Sequence, residues 1–81
     1  MKVRKSLIQE IETKVFLYEN KKEEYILVAV PSLEWSFSFT YEKFGERLID
    51  EMTLSLQKVT KLTEEECEVL ALKIDQWTKE M

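Results

Sequence analysis

The 81-residue chain has no histidine and only one cysteine, one glycine and one proline. Each scarcity excludes a kind of chemistry. Without histidine there is no Ser-His-Asp or Cys-His nucleophilic set, and no imidazole to hold a metal. The lone Cys67 has no intramolecular partner, so the fold does not rest on disulfides, which fits a reducing compartment. A single Gly45 supplies no glycine-rich loop for a phosphate. No apolar run is long enough to span a bilayer, and Leu7-Ile8 gives way to Gln9-Glu10 before a signal-peptide core could form. The expectation is a cytoplasmic protein with no membrane contact.

What is present points to a folded chain. Hydrophobic residues make up 44% and charged residues 35%, a balance that excludes disorder. Twelve basic and sixteen acidic residues leave a net charge of -4, which disfavours nonspecific nucleic-acid binding. Residues 1–81 suffice for a single α+β domain and for no second one. In so short a chain, hydrophobic burial and conformational entropy nearly cancel, so self-association is expected.

Trp35, Phe37, Phe39 and Tyr41 alternate with Glu34, Ser36, Ser38 and Thr40. This period of two predicts a half-buried strand over Glu34 to Tyr41. Tyr25 to Val30 is a continuous apolar run that suits a central strand, and Thr13 to Glu19 predicts a third. Asn20-Lys21-Lys22-Glu23 and Pro31-Ser32-Leu33-Glu34 are the natural turns. Loops of even length pair odd residues with even ones. Val15 and Leu17 then share a face with Ile26, Val28, Val30, Trp35, Phe37 and Phe39.

The remainder is helical. From Tyr41 to Val59, the residues Phe44, Leu48, Ile49, Met52, Leu56 and Val59 form one stripe, with Gly45 in the first turn. Thr63 and Glu66 predict a capping box. Cys67, Leu70, Ala71, Ile74, Trp77 and Met81 form a second stripe. The predicted fold is therefore a three-stranded antiparallel β-meander followed by two antiparallel α-helices packed on one sheet face. Residues 1–12 suit either a short helical turn built on Leu7, Ile8 and Ile11, or a strand extended from Val3.

Cys67 lies in phase with the buried stripe and reads as a core residue, not a nucleophile. Glu64, Glu65, Glu66 and Glu68 lie close together on one helix, point in different directions and do not converge as cation ligands do; capping and solvation explain them. No pair of carboxylates is singled out for acid–base work. No catalytic residue, cofactor or metal site is expected, and an enzyme would need chemistry without a visible signature.

The second sheet face is the informative surface. By the same parity it carries Phe16, Tyr18, Tyr25, Leu27 and Ala29 beside Ser36, Ser38 and Thr40. One helix pair cannot cover both faces. Either Leu7, Ile8 and Ile11 fold over this patch, or Phe16, Tyr18, Tyr25 and Leu27 form an interface for a second copy or a protein partner. A single-stranded nucleic acid stacking on the same aromatics is the rival reading, with only Lys14, Lys21 and Lys22 in support. Val69 and Leu72, off the last helical stripe, are weaker interface candidates. An unpaired sheet edge offers a further route to a partner strand.

The segment Thr13-Lys14-Val15-Phe16-Leu17-Tyr18-Glu19-Asn20-Lys21-Lys22-Glu23-Glu24-Tyr25, then Trp35-Ser36-Phe37-Ser38-Phe39-Thr40-Tyr41 and Trp77-Thr78-Lys79-Glu80-Met81, resembles the YueH-like family. That family is a group of small uncharacterised proteins from Bacillus and its relatives. The resemblance spans most of the chain and rests on structural segments, not on a chemical motif. It implies a bacterial cytosolic protein without an established activity and transfers no functional residue. The expected function is a non-enzymatic protein-binding or regulatory module that self-associates.

Overall fold

Asn20 pairs with Tyr25 and Val30 with Trp35, so each of these hairpins closes over four residues. The even loop length puts the apolar residues of three strands on one face, as the parity of the sequence requires. The computed structural model describes residues 1–80. Its strands are β1 (Lys2–Ile8), β2 (Ile11–Asn20), β3 (Tyr25–Val30) and β4 (Trp35–Thr40), all antiparallel in the order β1-β2-β3-β4. A 3-10 turn at Pro31–Leu33 links β3 to β4. Helices α1 (Gly45–Val59) and α2 (Glu64–Lys79) follow, joined by a short connection.

The sheet has four strands where the sequence predicted three. Of the two conformations open to residues 1–12, the strand forms: Lys2–Ile8 pairs with β2, and no helical turn is made there. The reason lies in the two-residue turn Gln9-Glu10, where φ is 52° and 65°. Such a turn usually carries Asn-Gly, because L side chains crowd the left-handed region. Gln-Glu gives no such signal. Nor do Leu7, Ile8 and Ile11 fold over the second face. Leu7 and Ile11 are 71% and 66% exposed, while Ile8 turns inward and is half-buried.

Val15, Leu17, Ile26, Val28, Val30, Trp35 and Phe39 are buried on the inner face, with Phe37 packed beside them. Each large side chain so placed contributes about 1.5–3 kcal/mol relative to an exposed one. The helices close this core with Leu48, Met52, Leu56, Cys67, Leu70, Ala71 and Ile74. Two polar contacts set their placement. Trp35 Nε1 donates to Ser55 Oγ at 3.0 Å, holding α1 over β4. Lys73 Nζ donates to Ser6 Oγ at 3.1 Å, holding α2 over β1.

The helical boundaries correct the sequence reading in part. Helix α1 begins at Gly45, not near Tyr41, because Gly45 takes φ 68° and the preceding Phe44 is extended. The break in phase takes Phe44 off the stripe, leaving it 72% exposed. Val59, in the last turn, is exposed as well. Met81, assigned to the second stripe, lies outside the described residues. At α2 the capping box forms as expected. Glu66 N donates to Thr63 Oγ1 at 3.1 Å, and Thr63 N donates to Glu66 Oε1 at 2.9 Å.

Candidate interaction face

The outer face of the sheet is built row by row from the strand register. Val3, Phe16, Ala29 and Ser36 form one row across the four strands. Tyr18, Leu27 and Ser38 form the next, and Asn20, Tyr25 and Thr40 the third. Successive residues of a strand point to opposite faces, so these rows lie opposite the helices. Tyr18 and Leu27 remain 36% and 37% exposed, while Phe16, Tyr25 and Ala29 are half-buried by their neighbours.

All four residues proposed from sequence therefore meet on one surface. Tyr18 and Tyr25 are diagonal neighbours, with ring centroids 6.2 Å apart and planes tilted by 58°. Leu27 lies directly across from Tyr18, and Phe16 directly across from Ala29. The patch is bounded on one side by the hydroxyls of Ser36, Ser38 and Thr40, which are exposed. On the other side is a charged corner, where Lys5 Nζ meets Glu12 Oε1 at 3.1 Å. Lys14 sits opposite Lys5 in the register.

Val3 and Leu7 also belong to this face, and sequence reasoning missed them. The alternation of Val3, Lys5 and Leu7 with Arg4, Ser6 and Ile8 was the available signal. Its charged members obscured it. Val69 and Leu72 are both exposed on α2, and Val69 lines a cleft with Leu7, Ile8 and Leu70.

The residues weighed for chemistry are occupied structurally. Cys67 is fully buried, and burial pushes its thiol pKa up, which opposes thiolate formation. Its Sγ lies 3.9 Å from the Leu62 carbonyl. The backbone hydrogen bond from Thr63 holds the Glu66 carboxyl below the usual range. Glu66 also accepts from Gln9 Nε2 at 3.4 Å, a contact between the β1–β2 turn and α2. Among the described residues, no group of three or more Cys, Asp or Glu side chains is arranged to hold a metal. No helix among them is long and apolar enough to cross a membrane.

The sequence model described as YueH-like protein matches residues 2–80. A Bacillus subtilis (strain 168) protein described as uncharacterized protein YueH is 42% identical over 84 residues, with 100% of both chains covered. No solved structure matches the chain.

Proposed function

The chain belongs to the YueH-like protein family, and on that premise we propose that it is a non-enzymatic, self-associating protein-binding module of the cytoplasm. The observation that carries this reading is the open outer face. The helices bury one side of the sheet and leave Phe16, Tyr18, Tyr25 and Leu27 contiguous on the other. A contiguous apolar patch with a polar rim is how protein contact surfaces are built. The aromatic members add large, stiff contact area at low entropic cost. A buried thiol with no disulfide partner suits a reducing compartment.

The paired tyrosines also suit base stacking, but the surrounding charge does not support a phosphate backbone. Lys5 is engaged by Glu12, and the chain carries a net charge of -4.

Affinity capture from a native lysate tests the reading. Wild type is expected to retain a protein that Leu27→Lys loses and that Leu54→Lys, changed at an exposed site on α1, keeps. Circular dichroism checks that each variant is folded. Retention of nothing by wild type, or of the same proteins by Leu27→Lys, overturns it. Titration with a short single-stranded RNA at low salt is expected to show no binding. Salt-sensitive binding lost in Tyr18→Ala and Tyr25→Ala would establish the nucleic-acid alternative instead.

A further inference from the structure

The outermost strands of the sheet, β1 and β4, differ in how they are protected. β1 carries Lys2, Arg4 and Lys5 and no acidic residue. Two copies joined through β1 would set these cations against one another. β4 reads Trp35-Ser36-Phe37-Ser38-Phe39-Thr40, without charge or proline, in a chain of which 35% is charged. It lacks the usual devices that keep a strand edge from pairing.

The pairing groups of that edge can be assigned. Tyr41 N donates to the Glu24 carbonyl at 3.2 Å, which continues the β3–β4 register by one step. Bonding in an antiparallel ladder alternates with a period of two residues. Trp35, Phe37 and Phe39 therefore turn their backbone groups toward β3. Ser36 and Ser38 turn both their N–H and C=O groups to the open edge, and Thr40 its N–H, while the Thr40 carbonyl accepts from Lys43 N at 3.1 Å. The strand is also symmetric in chemistry about Ser38, with a phenylalanine on each side and a hydroxyl residue beyond each.

We propose that β4 pairs antiparallel with β4 of a second copy, about a two-fold axis at Ser38. The proposal rests on the self-association in the reading above and names its surface. In this register Ser38 faces the partner's Ser38, Ser36 faces the partner's Thr40, and Phe37 faces the partner's Phe39. The Ser38 pair exchanges both of its backbone hydrogen bonds, the Thr40 N–H reaches the partner's Ser36 carbonyl, and the Ser36 N–H shares the Thr40 carbonyl that Lys43 N also uses. No charge lies within the paired strands themselves. Phe37, half-buried in one copy, gains an aromatic neighbour on its open side. Pairing β4 with β1 of another copy is head-to-tail and does not close, whereas the two-fold arrangement does. The axis is perpendicular to the sheet, so both helical layers stay on one side. The two outer faces then join into one eight-stranded surface.

Sedimentation over a range of concentrations is expected to give twice the 9.7 kDa of one chain. Ser38→Pro removes an N–H that points away from β3, so it spares the fold and weakens the dimer roughly 100-fold. Ser38→Lys sets two charges on the axis, keeps every backbone group and is expected to be monomeric. Ser38→Cys is expected to cross-link on oxidation, since Cα atoms in such a pair lie about 5.5 Å apart. Ser36→Cys, roughly 13 Å from its equivalent in this register, is expected not to cross-link. A chain that is monomeric at every concentration overturns both the edge pairing and the self-association. A dimer that survives Ser38→Lys, fails to cross-link at Ser38 and is lost in Leu27→Lys overturns the edge pairing alone.

Discussion

Tyr41 shows how much a single side chain depends on its distant partner. Its hydroxyl donates to Glu19 Oε2, so a residue just past β4 is tied to β2 across β3. This bond to a carboxylate, together with desolvation and the charges of Glu19 and Glu24, pushes the Tyr41 pKa up to about 12 from 10.0. The folded protein thus holds the phenolic proton more tightly than the unfolded chain does. The associated stability is fully present below pH 10.0 and is lost as pH rises toward about 12. Ultraviolet titration is expected to show one tyrosine ionising late, with Glu19→Gln moving its midpoint back toward the ordinary value. Three tyrosines ionising together in the wild type would contradict the contact. The alternation of residues 34–41 announces the aromatic, but not its partner 22 positions earlier. That partner is set by two strand registers acting together.

At the scale of elements, the informative case is β1. Its turn places two ordinary side chains at positive φ, which opposes hairpin formation. The strand forms because non-local contacts offset that cost. Ser6 is buried and accepts from Lys73, and Ile8 packs on the core. Replacing Glu10, at φ 65°, with glycine relieves the strain at the position where this turn most favours it. The substitution is expected to raise stability by about 0.5–1 kcal/mol in urea denaturation. The same change at Glu12, inside β2, is expected to lower it. A loss of stability in Glu10→Gly would show that the turn does not carry this strain. The capping box at α2 was legible because its signal is local. The onset of α1 was not, because Phe44 continued the apolar spacing across a break made by the backbone of Gly45.

For the whole molecule, the two faces of one sheet carry unequal energetic weight. Leu17 and Leu27 sit on adjacent strands, one fully buried beneath the helices and the other 37% exposed. Leu17→Ala is expected to cost about 2–5 kcal/mol, a large part of the stability of a chain this size. Leu27→Ala is expected to cost well under half as much, because much of its surface already meets water. Chemical denaturation of the two variants at equal concentration checks this. The reverse ranking would mean that the helices cover the other face. This distinction was legible in part: three strand patterns and two even loops agreed on the inner face. Whether the outer face stayed open was not, since that depended on where residues 1–12 went.

The sequence by itself determined the meander from β2 to β4, its buried side and the cap of α2. Each follows from interactions within a few residues: side-chain alternation, loop parity and the Thr63–Glu66 exchange. Only the tertiary structure decided that β1 completes the sheet, that Phe44 leaves the core and that the Tyr18–Leu27 face stays uncovered. Those outcomes depend on contacts between residues far apart in the chain. There, a locally unfavourable turn such as Gln9-Glu10 is offset by burial under α2, a trade that no short stretch of sequence displays.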